Sequence, residues 1–341
     1  MYFSLLIILA QSKSCPEYKC KSDSQIFDNK TCIYYKESGS TEKYYAHKCP
    51  SDGPNTYCIV NLRANSTCGP PEYPPRLPGE KCDKAHSCHS ASDCVDGICK
   101  PVTVNEVCND NYNCEVGKYC GIDGKCHDQN STLSCTNDEM CTNTHACNNT
   151  DGNEGSCVEY FGIDDYEYVA KCEKNESLLC NTGVCVVYKG HNRCFGPAVN
   201  RKAPPYACDS TCKSKTDDKL GDIYLNGECV CGYNPDQKRV CTLFNQDDKA
   251  NKFYRMYKEW YRGEDIQKCH TMGRFSFECI KEHSSDYDEF MFRYYKFKQY
   301  PYQYFADDCV KKVFLPEYYH FDDVYDSAII LISGLSLLFL V

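Results

Sequence analysis

Apolar residues follow a helical period only near the C-terminal end of the chain. Phe253, Met256, Tyr257 and Trp260 recur at i, i+3, i+4 and i+7, which predicts an amphipathic helix that ends at Gly263. A second helix is predicted from about Ser285, with Asp288 as a capping acid and Pro301 after its end. Its apolar stripe consists of Tyr287, Phe290, Tyr294 and Phe297. A third, shorter helix is predicted from Asp307 to Leu315. Residues 242–327 therefore indicate a helical domain with an aromatic core.

The segment from Cys82 to Cys157 has the opposite character. Only nine of its 76 residues are Val, Ile, Leu, Met, Phe or Trp. Burial of so few apolar side chains cannot offset the entropy lost on folding. Another source of stability is needed, and the composition supplies it, since the chain has 30 cysteines in 341 residues.

The cysteines of this segment form three sets of four, whose starts are 26 and 27 residues apart. An Asp-Gly pair precedes the last cysteine of each set, at Asp96-Gly97, Asp123-Gly124 and Asp151-Gly152. Such pairs are typical of tight hairpins. We predict disulfides within each set, but spacing cannot choose among the three possible connectivities. The twelve candidate disulfide cysteines are Cys82, Cys88, Cys94, Cys99, Cys108, Cys114, Cys120, Cys126, Cys135, Cys141, Cys147 and Cys157.

Two further clusters follow. Cys172, Cys180, Cys185 and Cys194 form a divergent fourth set, and the segment from Cys208 to Cys241 ends like the back half of an EGF-like unit. The cluster 208–241 holds five cysteines and the helical part holds three. If the earlier clusters close on themselves, at least one disulfide must join the EGF-like cluster to the helical part.

The run from Gly79 to Cys126 resembles the N-terminal cysteine-rich module of Dickkopf proteins and the related EB-type modules. The shared features are Asp83, the stretch from Asn109 to Asn113, Gly117, Tyr119-Cys120 and the Gly124-Lys-Cys126 ending. The resemblance covers about residues 79–157. It implies small modules of the growth-factor-receptor-like cysteine-rich class, as found in many protist surface proteins. It does not imply a particular ligand.

The predicted fold is a series of small disulfide-rich modules with short β-hairpins and loops, followed by a small α-helical, aromatic-rich domain. Little regular structure is expected in the N-terminal two-thirds. The predicted divisions are a signal peptide (1–12), an N-terminal cysteine-rich module (13–68), a Pro-rich linker (69–81), three tandem repeats (82–157), a divergent fourth repeat (158–195), a linker (196–207), an EGF-like cluster (208–241), a helical domain (242–327) and a hydrophobic C-terminal segment (328–341).

The N-terminus and the sequons predict entry into the secretory pathway. Phe3 to Ala10 is an apolar run, and a small-x-small cleavage pattern follows it. A secreted chain is also the usual setting for so many cysteines. The candidate N-glycosylation sites are Asn29, Asn65, Asn130, Asn148 and Asn175.

Several kinds of chemistry are not expected. The chain has no C-x2-C pair, so we predict no metal site, and no motif predicts a cofactor. The net charge of −10 argues against a nucleic-acid partner. Neither H-E-x-x-H nor G-x-S-x-G occurs, and we predict that the protein is not an enzyme.

The last fourteen residues, Ala328 to Val341, are uncharged. A membrane-spanning helix needs about 20 residues. The tail therefore predicts a lipid-anchor (GPI) signal, with a short membrane helix as the alternative. Candidate attachment residues are Asp322, Asp323, Asp326 and Ser327.

Together these features predict a membrane-anchored cell-surface glycoprotein, attached through its tail, with a structural, adhesion or receptor role. Its partner would be an unidentified extracellular protein or carbohydrate. The alternative is a protease inhibitor or soluble ligand built on disulfide modules, and a secreted enzyme is a more remote one.

Overall fold

The computed structural model describes residues 15–311 with gaps at 21–30, 39–40, 51–56, 60–66, 70–74, 103–106, 132–133, 150–152, 174–176, 197–205, 216–223, 245–246, 299 and 309. The predicted signal peptide and the C-terminal tail lie outside the described residues. Within them, short sheets of two or three strands precede four helices, which confirms the predicted fold class.

The N-terminal module contains two small sheets. The first consists of β1 (Glu17–Cys20), β2 (Thr31–Ser38) and β3 (Thr41–Lys48), with β3 in the centre, parallel to β1 and antiparallel to β2. The second is the antiparallel pair β4 (Tyr57–Ile59) and β5 (Thr67–Gly69). A disulfide joins Cys49 to Cys68 within this module.

Five successive units follow, and all have one connectivity. Each contains four cysteines, except the fifth, which also contains Cys231. We call them units one to five: Cys82–Cys99, Cys108–Cys126, Cys135–Cys157, Cys172–Cys194 and Cys208–Cys241. In each unit the first cysteine bonds the third and the second bonds the last. In each unit, too, the third and the last cysteine lie directly opposite each other in an antiparallel hairpin. The segment expected to be EGF-like thus shares the pairing of the four sets before it.

The strands of these units are short. They are β6 (Ser92–Val95) and β7 (Ile98–Pro101), β8 (Lys118–Cys120) and β9 (Cys126–Asp128), β10 (Ser134–Cys135), β11 (His145–Asn148) and β12 (Gly155–Glu159), β13 (Cys185–Tyr188) and β14 (His191–Cys194), and β15 (Cys212–Lys215), β16 (Tyr224–Gly227), β17 (Cys229–Cys231) and β18 (Arg239–Cys241).

The first predicted turn is a two-residue hairpin with both residues at positive φ. Asp96 has φ 55° and Gly97 φ 78°, between paired Val95 and Ile98, as a type I′ turn requires. Gly124 also has positive φ, 71°. The pair at 151–152 lies outside the described residues.

An Asn or Asp side chain fixes the hairpin within units two and three. Asn111 and Asp138 each lie three residues before the second cysteine of their unit. The side-chain oxygen of each accepts the backbone N–H of the unit's third cysteine at 2.8 Å. The Asn-rich and acidic stretches between the cysteines thus supply the side chains that accept this hydrogen bond.

The four helices are α1 (Asp248–Arg262), α2 (Phe277–His283), α3 (Tyr287–Lys298) and α4 (Tyr300–Gln303). The first ends at Gly263 as predicted, while α3 begins two residues after the expected Ser285. Pro301 follows the end of α3, as predicted, and lies in the first turn of α4, where its missing N–H costs little. The helix predicted for 307–315 falls mostly outside the described residues, although Lys311 N–H donates to the Asp307 carbonyl at 3.0 Å.

The aromatic core is not confined to residues 242–327. One cluster of buried residues joins α1 and α3 to units three and four. Phe253 lies near its centre, with the rings of Tyr257, Phe290 and Phe297 at centroid distances of 4.4, 5.6 and 5.6 Å. Tyr160 and Phe161 contribute from beside unit three. The helices therefore cover the apolar residues that these units cannot bury alone.

The predicted link from the cluster 208–241 to the helical part is wrong. The odd cysteine of that cluster, Cys231, bonds Cys15 across a sequence separation of 216 residues. The assumption that the N-terminal module closes on itself failed, because β1 packs on unit five. Tyr18 N–H donates to the Asn234 carbonyl at 3.1 Å, and its ring lies 5.0 Å from that of Tyr233. Within the helical part, Cys269 bonds Cys279.

Candidate functional site

A groove of about 670 Å³ opens where units three, four and five meet the helices. Its size lies in the range typical of small-molecule sites. Unit three and the residues after it contribute Asp138, Ala146, Cys147 and Tyr160. Unit four and the residue before it contribute Lys171, Glu173, Ser177, Leu178 and Leu179. Unit five and its continuation contribute Leu225, Asn226, Gly227, Glu228, Thr242, Leu243 and Phe244, and the helical part contributes Phe275, Phe297, Lys298 and Tyr302.

Most of the groove is apolar. Leu179, Leu225, Leu243 and Phe297 are buried, whereas Phe275 keeps 43% of its surface exposed. The exposed residues Lys171, Glu173 and Glu228 bring charges of both signs to the lining. Such a lining suits an apolar group. Its surface charges favour neither an anionic nor a cationic ligand.

One end of the groove adjoins a buried arginine. Arg274 is 2% exposed, and its NH1 group donates to the Asp138 carbonyl at 3.2 Å and to Thr271 Oγ1 at 3.1 Å. Its guanidinium carbon lies 5.0 Å from the centre of the Phe275 ring. Asp138 and Phe275 line the groove, so the guanidinium lies directly behind its wall.

Two buried tyrosines lie beside this arginine. The rings of Tyr160 and Tyr261 are 4.9 Å apart, and both hydroxyls are buried. Burial raises the pKa of both hydroxyls well above the ordinary value, and Arg274 offsets part of the shift at each. Both tyrosines are therefore protonated at neutral pH and can donate a hydrogen bond.

The segment 265–274 attaches the helical part to units two and three. His270 is fully buried, and its Nε2 lies 3.1 Å from the carbonyl oxygens of both Asn111 and Cys114. Asn143 Nδ2 donates to the carbonyls of Ile266 and Cys269 at 3.0 and 2.7 Å. These bonds fix the position of Arg274, and with it one end of the groove.

Seven of the twelve predicted cysteines of 82–157 are buried, namely Cys82, Cys99, Cys108, Cys114, Cys135, Cys141 and Cys147. Among the described residues thirteen disulfides are present. In four units, three sulfur atoms lie within 4.8 Å of one another, which is close enough for a shared metal ion. All of them are oxidised in disulfides, however, and a disulfide sulfur cannot serve as a thiolate ligand.

Two of the predicted glycosylation sites fall among the described residues. Asn148 is half-buried in β11, and its Oδ1 accepts the Ala170 N–H at 2.7 Å. Asn130 is half-buried beside unit three, and its backbone N–H donates to the Met140 carbonyl at 3.1 Å. Asn29, Asn65 and Asn175 lie outside the described residues, as do the anchor candidates Asp322, Asp323, Asp326 and Ser327.

The groove and its buried polar end were not predicted. Tyr160 and Arg274 are more than 100 residues apart, and neither lies in a recognisable motif. Within α3, Phe290 and Phe297 of the predicted apolar stripe are buried, together with Phe292 and Tyr295. A buried site built from four segments leaves no local pattern that could identify it.

Comparison of the chain with protein-family models, with curated proteins and with solved structures finds no match. Among the helices that the structure describes, none combines the length and the apolar character needed to cross a membrane.

Proposed function

We propose that the protein is a membrane-anchored, extracellular cysteine-rich glycoprotein with a recognition role, as an adhesion protein, a receptor or a coat component. The observation that carries the proposal is the density of disulfides in the fold. Every cysteine of units one to five except Cys231 bonds within its own unit, and Cys231 bonds Cys15. Disulfides at this density persist in oxidising compartments.

The packing of the units supports recognition over a purely mechanical role. Units three to five do not form an extended stalk, because they share cores with one another and with the helices. Their junction contains a groove of ligand-binding size. The resemblance of residues 79–157 to Dickkopf-type and EB-type modules is a further argument for an extracellular setting, and the assignment to that class stays part of the proposal.

Attachment is the first point to test. Intact cells that produce the full chain would be treated with a phosphatidylinositol-specific phospholipase, with a protein that crosses the membrane as the control for lysis. We expect release of the chain, and intact mass should place its C-terminus between Asp322 and Ser327. Recovery of a peptide from Ala328 to Val341 from the mature protein would contradict the lipid anchor.

The alternative function is inhibition of a protease, or action as a soluble ligand. Compact disulfide hairpins such as β6–β7 can resist cleavage and present a loop to a protease. An inhibitor would form a stoichiometric complex when titrated into a panel of proteases. A recognition protein would be cleaved slowly or ignored, without loss of protease activity.

A further inference from the structure

The side of α1 that faces solvent carries only polar residues. The apolar side of the helix packs on the shared core, where Phe253, Trp260 and Tyr261 are buried. Half-buried Lys258 lies at the edge of the solvent side, and its ammonium group donates to Asn181 Oδ1 of unit four. The exposed residues of α1 are Asp248, Asn251, Lys252, Arg255, Glu259 and Arg262.

Five of these side chains form what we call the basic face of α1: Lys252, Arg255, Lys258, Glu259 and Arg262. Its charge is opposite to that of the whole protein, since it combines four cations with one carboxylate in a chain whose net charge is −10. The attraction of an anionic partner to this protein therefore has to be local.

The stability of the helix does not account for all of these cations. A cation stabilises a helix near its C-terminal end, as Arg262 does, or beside a carboxylate one turn away. Lys252 meets the second condition, since its Nζ lies 3.1 Å from the Asp248 carboxylate, and Arg262 also pairs with Glu159 of β12. Arg255 lies in the middle of the helix, and no ion pair joins it to any carboxylate of the described residues, Glu259 included. Its charge is thus available to a partner.

Positive charge continues beyond the first turn of α1. Lys249 lies about one turn before Lys252, and its Nζ is 4.0 Å from the centre of the Tyr300 ring. Lys296 of α3 places its Nζ 5.0 Å from the centre of the same ring. The basic face therefore adjoins a second group of cations where α1 meets α3 and α4.

The shape of the basic face indicates the kind of anion that fits it. Lys252 and Arg262 are separated by about 15 Å along the helix, given a rise of about 1.5 Å per residue. A compact anion such as phosphate meets only one or two of these cations, whereas a linear polymer with anionic groups along its length can meet all of them. The face has no exposed apolar side chain, unlike helices that lie in a membrane interface and unlike the centre of a stable protein interface.

We propose that the basic face of α1 binds a linear anionic polysaccharide. The polymer lies along the helix, its sulfate or carboxylate groups contact Arg255 and the neighbouring cations, and Glu259 opposes the contact. This inference deepens the recognition role proposed above and rests on the extracellular setting, where such polymers occur. Binding in solution does not depend on the anchor, so a negative result would overturn this inference alone and leave the recognition role with another partner.

The test uses short-chain dextran sulfate as the probe and dextran of the same length as its uncharged match. Each is titrated calorimetrically into the purified full-length chain at pH 7, in 50 and 200 mM salt. We expect dextran sulfate to bind in 50 mM salt and at least about tenfold more weakly in 200 mM salt, because each contact with a linear polyanion releases counterions. Dextran should not bind. Absence of dextran sulfate binding in 50 mM salt, or equal binding of dextran, would overturn the proposal.

Two substitutions with opposite expected effects locate the site. Arg255→Gln removes the unpaired cation and should lower the affinity for dextran sulfate about fivefold. Glu259→Gln removes the carboxylate of the basic face and should raise that affinity about threefold. Both residues are exposed, so the thermal midpoint should change little. Lys100→Gln, at an exposed lysine of β7, is the matched control and should retain the affinity of the unmodified chain.

Two results would assign the binding elsewhere. If Arg255→Gln weakens binding no more than Lys100→Gln does, the polymer does not contact the basic face, and the proposed site is wrong. Phosphatidylserine vesicles test the membrane as the partner. Vesicle binding that falls in Arg255→Gln, in a chain that does not bind dextran sulfate, would assign the face to a lipid surface and overturn the proposal.

Discussion

His270 should make the attachment of the helical part sensitive to mild acid. Its Nε2 donates to the carbonyls of Asn111 and Cys114, and its Nδ1 accepts the Met272 N–H at 3.2 Å, so the neutral imidazole is fully used. Protonation would place a second N–H against that of Met272 and a charge in a buried site. Burial lowers the pKa of His270, and the two carbonyl bonds offset this only in part.

The direction of this pH effect follows from the number of protons that the folded and the unfolded chain bind. Between pH 6.5, the ordinary value for the unfolded chain, and the lower pKa of folded His270, only the unfolded chain binds this proton. Stability therefore falls as the pH falls through that window, by up to about 1.4 kcal/mol per pH unit. His89 and Asp110 are the other titratable groups that influence this imidazole, and they act in opposite directions.

Other groups add to the overall pH profile. Burial also lowers the pKa of His145 and His283, which gives the same sign as His270. Burial raises the pKa of Glu80, so that this carboxyl contributes stability as the pH falls toward 4.5. Only a comparison between variants can separate His270 from these groups.

The variant His270→Gln keeps an N–H donor but cannot take up a proton. We expect it to lose about 1–3 kcal/mol at pH 7.5, because the glutamine amide has no acceptor at the position of Nδ1 and the Met272 N–H loses its partner. Denaturant unfolding at pH 7.5, 6.5 and 5.5, followed by the fluorescence of Trp260, the single tryptophan of the chain, measures both effects. The difference between the unmodified chain and the variant should shrink toward pH 5.5.

The control for this comparison is His191→Gln, which replaces an exposed imidazole in β14. The free energy of unfolding of this control should change with pH in the same way as that of the unmodified chain. If the free energy of unfolding of His270→Gln also changes with pH as that of the unmodified chain does, His270 does not couple protonation to unfolding, and the reasoning from its hydrogen bonds is refuted.

Two further predictions concern the backbone and the long-range cross-link. Gly183→Ala should lower the thermal midpoint clearly more than Gly190→Ala. Both glycines have positive φ, but an added methyl meets the Tyr254 ring at 2.8 Å only at Gly183. Equal decreases in the midpoint would contradict the packing of unit four on α1. Replacement of both Cys15 and Cys231 by Ser should cost at most about 5 kcal/mol and speed hydrogen exchange in β1, whereas unchanged exchange would mean that non-covalent contacts alone hold β1 on unit five.

The features predictable from the sequence are those with local causes. The turn at Asp96-Gly97 follows from the positive φ that such a pair tolerates, and α1 follows from the spacing of Phe253 and Trp260. The seven-residue α2 was missed because it is too short for a periodic stripe. Ser276 caps it with a 3.1 Å bond to the Cys279 N–H, and the disulfide to Cys269 holds it.

The groove and the shared core depend on contacts between distant segments. Tyr160, Phe161 and Leu179 have no regular spacing, so nothing in the local pattern indicates that they pack on α1 and α3. The bond of Cys15 to Cys231 was missed for a related reason. Even counts within a cluster permit closure but do not require it, and the contact of Tyr18 with Asn234 that brings β1 to unit five is visible only in the folded chain.

The long bond from Cys15 to Cys231 also imposes an order of events during synthesis. Within units one to five the bonded cysteines are 11 to 29 residues apart, so each unit can form its disulfides soon after it is synthesised. Cys15 must wait for a partner 216 residues later, which at about 5–20 residues per second is a delay of roughly 10–40 s. During that interval its thiol is surrounded by newly emerging cysteines with which it can exchange. Cys15 is thus synthesised before units one to five but can reach its native partner only after most of them have closed, and completion of the fold should depend on a disulfide isomerase more than the regular units suggest.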